Sequence, residues 1–324
     1  MSSEKPLLRF GVIADPQYAD VEPRLEYDRY YRNSPKKLAE AIDTLNGEDL
    51  AFVVTLGDLI DRDWESFDPI LSVYEGLRHE SILLPGNHDF SIAPQRLTEV
   101  HARLGMPAPW HHFLRGGIRF VVIDGNEVSL FSTSEGHARH AEARSRLAAL
   151  EAAGAINAMP WNGGIGDGQF AWLEQMLADA RERGEAVIVM GHYPLYPENP
   201  HNLWNGERVT ELFERSGNVI AYLNGHNHVG NLGRTGSTWY VNFKGMVDTE
   251  TENTFAVVEV YKGRIEVIGY GREENRSLAL WVIPAKAETP LGELPAQPWV
   301  RQSAAIEDGA TDAVKTESLS LETV

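Results

Sequence analysis

The feature that most constrains this chain is a series of short apolar runs, most of which end abruptly in Gly, Asp, Asn or His. The runs cover residues 7–14, 51–56, 81–84, 118–123, 186–190 and 219–223. They are rich in β-branched and aromatic residues and are hydrophobic almost without interruption. A strand covered on only one face alternates apolar and polar residues, so continuous runs predict strands buried on both faces. Three further β runs, 238–243, 255–261 and 264–270, lie close together, with Lys262-Gly263 as a hairpin turn between the last two. Between the runs lie helical patterns. Ser34-Pro35 opens one with a cap and a first-turn proline, and residues 168–183 and 207–216 carry two more. Residues 136–153, rich in Ala, Arg and Glu, read as an exposed helix inserted before the next motif. Strands alternating with helices and followed by further β runs predict a layered α/β sandwich. From residue 285 the periodicity disappears, so the expected division is one folded domain over 1–284 and a disordered acidic tail over 285–324.

The polar residues at the run ends form one chemical set. Asp15-Pro16-Gln17 follows the first run, Gly57-Asp58-Leu59-Ile60-Asp61-Arg62 the second and Gly86-Asn87-His88-Asp89 the third. Gly191-His192 follows the fifth, and Gly225-His226-Asn227-His228 the sixth. In open sheets such loops gather beyond the carboxyl ends of the strands, so these residues are expected to meet at one edge. Carboxylate, amide oxygen and imidazole together suit manganese, iron or zinc. The set is larger than one ion needs, so two divalent ions are expected, with Asp58 the natural carboxylate to bridge them.

Composition narrows what such a centre can act on. The formal charge is −18, which repels polyanions and argues against nucleic acid or an anionic membrane as partner. A small phosphorylated substrate stays open, because bound ions invert the local field. The chain has no cysteine, which excludes disulfides and thiolate metal sites. With no signal-like or membrane-spanning apolar run, the expectation is a soluble, cytoplasmic protein.

The motif set resembles the calcineurin-like metallophosphoesterase superfamily, whose pattern is D-x-H, GDxxD(R), GNH(D/E), a lone H and GHxH. Gln17 departs from it, standing where most members have histidine. The same departure marks one branch, the manganese-dependent ADP-ribose/CDP-alcohol diphosphatases, to which residues 10–20, 29–34, 162–166, 204–205, 240–245 and 269–272 are also similar. The resemblance implies an αββα sandwich with its active site at the carboxyl ends of the strands. It implies Asp15, Gln17, Asp58 and His228 around one ion and Asp58, Asn87, His192 and His226 around the other. His88 would stabilise the transition state or protonate the leaving oxygen, oriented by Asp61, with Asn87 acting as ligand. The implied substrate is a small phosphorylated nucleotide cleaved at its diphosphate linkage. A cyclic-nucleotide phosphodiesterase or phosphomonoesterase of the same fold is the alternative, and a non-catalytic scaffold the weaker rival.

Substrate contacts leave two readings open. Tyr27, Tyr30, Tyr31 and Arg32 either stack on a base and grip a phosphate or pack against the following helix. Asn162, Gly163 and Gly164 either offer backbone N–H groups to phosphate or simply lead into the next helix. Arg62 is expected to pair with a neighbouring carboxylate. His79, His101, His111, His112, His137, His140 and His201 are read as surface or packing residues.

Overall fold

The computed structural model describes residues 4–281. The expected division at residue 284 and the 285–324 tail lie outside the described residues. In chain order the strands are β1 (Leu8–Ile13), β2 (Val53–Leu56), β3 (Ser81–Leu84), β4 (His111–Arg115), β5 (Ile118–Val122), β6 (Ala186–Met190), β7 (Val219–Asn224), β8 (Asn231–Thr235), β9 (Thr238–Asn242), β10 (Thr254–Val260), β11 (Arg264–Gly271) and β12 (Arg276–Ala279). The helices are α1 (Ser34–Asn46), α2 (Phe67–Tyr74), α3 (Val100–Arg103), α4 (Ala138–Ala153), α5 (Asp167–Glu182) and α6 (Gly206–Ser216).

The strands form two six-stranded sheets, ordered β12-β11-β10-β1-β2-β3 and β4-β5-β6-β7-β9-β8. The continuous hydrophobicity of the central strands has a direct cause: alternate side chains serve two different layers. Phe10, Val12, Phe52 and Val54 meet Phe120, Ile188 and Met190 in a core between the sheets. There Phe10 stacks on Phe52 at 4.9 Å, and Phe120 meets both edge-on. The intervening residues Ile13 and Val53 face α1 and α2, whereas Val121, Val187 and Val189 face α5 and α6. Helices therefore cover both outer faces, as the αββα expectation requires. Among the described residues no helix is long and apolar enough to cross a membrane.

What matters for function is strand direction. β1, β2 and β3 run parallel in one sheet, and β5, β6, β7 and β9 run parallel in the other. The loops leaving β1, β2, β3, β6 and β7 are the ones that carry the polar motifs.

A candidate dinuclear metal centre

The motif loops are stitched to one another across the sheets. Gln17 N donates to Asp58 O at 2.7 Å, His226 N to the Asp15 carboxylate at 3.1 Å and Gly225 N to His192 O at 3.1 Å. His88 N donates to Asp58 Oδ1 at 2.9 Å. The approach is close enough to require glycine: a Cβ on Gly86 would lie 2.1 Å from Asp58 Oδ1. Backbone strain gathers in the same place. Asp15, Gln17, Asp58 and His226 all have φ between +50° and +69°, a region that side chains disfavour and that persists where surrounding contacts enforce it.

Two groups of ligand-type atoms result, each within 4.8 Å of one another. They are Asp58 with His192 and His226, and Asp15 with Asp58 and His228, so Asp58 belongs to both. His192 Nε2 lies 3.2 Å from Asn87 Oδ1 and 3.4 Å from Asp58 Oδ2. His228 Nε2 lies 3.6 Å from Asp15 Oδ1, and Gln17 Nε2 lies 3.3 Å from Asp58 Oδ2.

Hydrogen bonds on the far side of each imidazole fix which nitrogen faces the cluster. His192 Nδ1 donates to Leu56 O at 2.8 Å, which leaves its Nε2 lone pair toward Asp58 and Asn87. His228 Nδ1 donates to Asp248 Oδ1 at 2.8 Å, leaving Nε2 toward Asp15. His226 is the reverse. The Asn162 amide spends both N–H donors on Asn157 O and Pro200 O, so its Oδ1 must accept from His226 Nε2 at 3.0 Å. The free lone pair of His226 is then Nδ1.

The residues fit two divalent ions. Acceptor atoms from carboxylates, amides and imidazoles converge in buried positions, and the Gln17 Oε1 acceptor is buried with no hydrogen-bond partner. The electrostatics of the chain by itself point the same way. Burial lowers the affinity of His192 for a proton, yet Asp58 and Asp15 reverse this and push its pKa up to about 9. The pocket thus recruits positive charge. Burial likewise raises Asp15 to about 6 against the pull of His228 and His192, and it drives His226 well below its usual range.

His88 stands beside the cluster with its ring partly exposed. Its Nδ1 donates toward Asp61, 3.0 Å from the backbone oxygen and 3.2 Å from Oδ1, so Nε2 is the free atom. Burial alone would raise the Asp61 pKa, but His88 and Arg62 hold it down, Arg62 Nε lying 2.7 Å from Oδ2. Asp89 accepts from Ile60 N and Gly86 N and so staples the second motif to the third.

Several candidate substrate contacts have partners within the chain. Arg32 is spent on the exposed carboxylates of Asp20 and Glu22, each at 2.5 Å. Asn162 is fully buried, and its side chain orients His226 rather than meeting solvent. Gly163 and Gly164 are no open cradle: Gly164 N donates to Val128 O, Trp204 N donates to Gly163 O, and the next two N–H groups go to Asn205 and Glu127. Tyr31 is buried, with a phenol that has no hydrogen-bond partner. Tyr27 is exposed, and Arg24 lies 4.7 Å and Arg29 5.8 Å from its ring centre. Sequence reasoning missed Asp248, which sits in no strand-end motif. It also set aside His201, whose ring packs edge-on against His226 at 5.3 Å.

Two buried ligand clusters sharing one carboxylate, at the carboxyl edge of a two-sheet α/β sandwich, define a dinuclear phosphoesterase. Residues 8–230 match the calcineurin-like phosphoesterase family, and the chain belongs to it; it is a metal-dependent hydrolase. It is 28% identical to the manganese-dependent ADP-ribose/CDP-alcohol diphosphatase of Xenopus tropicalis, over 85% of this chain and 95% of that one. It is equally similar to the protein of that name from Arabidopsis thaliana, over 85% of this chain and 97% of the relative. The fold is shared with the crystal structure of a dimetal phosphatase from Danio rerio, at a TM-score of 0.76 and 24% identity over 85% of this chain and 100% of that one.

Proposed function

We propose that this chain hydrolyses the diphosphate linkage of nucleoside diphosphate esters of the ADP-ribose or CDP-alcohol kind. The products are a nucleoside monophosphate and a phosphorylated sugar or alcohol. The observation that carries this reading is the pair of clusters joined at Asp58, with an amide, Gln17, where most of the superfamily has imidazole. The names of the relatives support the substrate class. Asp15, Gln17, Asp58 and His228 would hold one ion, and Asp58, Asn87, His192 and His226 the other. The oxygen-rich first set suits manganese ahead of zinc. When bound, two such ions lower the pKa of water and offset charge on a phosphoryl group.

The chain's own residues then divide the work. Against the effect of burial, Asp58 and Asp61 raise the His88 pKa, so the ring carries a second proton on Nε2 and donates it, or a hydrogen bond, to an oxygen of the reacting phosphate, while Asp61 keeps the ring aligned. The departing group is a second phosphate, a weak base that needs little protonation. Tyr27 offers an exposed ring on which a base can stack. Residues 1–284 form the catalytic domain in this reading, and a cytoplasmic setting suits both the substrate class and the cysteine-free sequence.

The test is hydrolysis of ADP-ribose, CDP-choline, a cyclic nucleotide and p-nitrophenyl phosphate by the manganese-loaded chain, with products identified. Faster cleavage of the first two, to AMP and CMP, is the expected result. Activity confined to the cyclic nucleotide or the monoester would overturn the substrate class and leave the metal centre standing.

A further inference from the structure

Loop 245–249, between β9 and β10, belongs to no metal motif, yet it underlies two of the proposed ligands. Met246 N donates to Ala14 O at 2.9 Å and Val247 N to Asp15 O at 3.0 Å, so the loop fixes the backbone that presents Asp15. On its other side Gly245 N donates to His228 O at 3.1 Å, and Asp248 Oδ1 takes the His228 Nδ1 proton. Gly245 backs directly onto the ring, since a Cβ there would lie 2.5 Å from His228 Nδ1.

Two cations from elsewhere in the chain hold this loop by its carbonyls. Lys37, on α1 and 3% exposed, donates Nζ to Met246 O at 3.0 Å, Asp248 O at 2.7 Å and Thr249 O at 2.5 Å. Arg272, just past β11, donates Nη2 to Gly245 O at 2.5 Å and Asp248 O at 3.1 Å. A lysine buried this deeply is costly unless its three donors are satisfied, and here all three meet backbone oxygens. The loop also needs holding. Thr249 sits at φ +64°, a conformation that a β-branched residue adopts only under constraint from its surroundings. Burial, and then the nearby Arg272, lower the Lys37 pKa to about 8, which leaves the amine charged at neutral pH.

We propose that Lys37, together with Arg272, is a positioning residue for the ion held by Asp15 and His228. The clamp sets the place of Asp248 and of the Asp15 backbone, and through them one ion site and not the other. The inference rests on the two-ion reading of the centre. Outer partners of metal-binding imidazoles typically change affinity by about 10–100-fold, and that is the effect expected here.

The experiment is a manganese titration of the full chain, with free manganese followed by electron paramagnetic resonance. Wild type is expected to bind two ions, with His228→Asn and His192→Asn identifying the two steps. Lys37→Met should weaken only the step that His228→Asn removes, by about 10–100-fold. Arg272→Met is read in the same way, so failure of one variant to fold leaves the other to decide. Equal weakening of both steps, or of neither, would overturn the positioning role. A wild type that binds a single ion would overturn the two-ion reading itself.

Discussion

His88 and Asn162 both touch the centre through one ring nitrogen or one amide oxygen, yet their neighbours give them opposite tasks. His88 anchors Nδ1 on Asp61 and keeps its ring partly exposed, so its free atom faces the cleft. Asn162 is buried, with both N–H donors of its amide already committed and its oxygen on His226. Replacing His88 by Ala should lower kcat by about 10²–10⁴-fold while two manganese ions still bind. Replacing Asn162 by Leu keeps the volume but leaves His226 Nε2 without an acceptor. Manganese affinity should then fall by about 10–100-fold at the step that His192→Asn also removes. Measured side by side, the two variants separate chemistry from metal binding. A raised KM with intact metal affinity in Asn162→Leu would return that residue to the substrate site.

At the scale of elements, legibility followed burial. The central strands were readable because both faces are apolar, and α1 and α5 because a first-turn proline or an apolar stripe marks them; the expected Ser34 cap is instead the first helical residue, its hydroxyl without a hydrogen-bond partner. Three of the four edge strands were not readable, β3 being the exception because its run leads straight into the third motif. β4, β8 and β12 are mostly half-exposed, with mixed composition, and they are held by pairing to a neighbour rather than by a pattern of their own. The same logic explains the site. The proposed ligands recur at strand ends beside glycine and stand out in the chain. Their supports, such as Asp248 and Lys37, are ordinary residues that gain meaning only when distant loops meet. The 162–166 stretch stayed ambiguous because glycine enrichment marks close packing as well as anion cradles; Gly163 lies where a Cβ would come within 2.3 Å of Gly125 O. Gly86 tests how tightly the β3 turn is specified. Gly86→Ala must push the backbone off Asp58, and a shift of about 1 Å at a catalytic centre can cost ~10²-fold in rate. A kcat/KM for CDP-choline that stays near wild type would show that the turn has slack.

Across the whole molecule, the proposed ligands are divided between the two sheets. Asp15, Gln17, Asp58 and Asn87 extend from β1, β2 and β3, whereas His192, His226 and His228 extend from β6 and β7. Between the sheets the packing is apolar and continuous, built on Phe10, Phe52 and Phe120. At the carboxyl edge that apolar contact gives way to buried Asp15 and Asp58. Ions held by the proposed ligands would therefore cross-link the sheets as well as supply chemistry. Anything that binds the folded chain alone stabilises it by RT ln(1 + [L]/Kd), or about 2.7 kcal/mol for each site at a hundredfold excess over Kd. For a domain of this size each kcal/mol moves Tm by about 2–4 °C. Stripping the manganese-loaded chain with a chelator should accordingly lower Tm by roughly 10–20 °C if both sites were saturated, and restoring manganese should reverse the change. The comparison needs only thermal denaturation with and without the metal. His228→Asn, which leaves one cluster intact, should show about half the shift. An unchanged Tm on chelation would mean that the clusters do not hold ions tightly enough to join the sheets, and it would count against the two-ion centre before any substrate is tried.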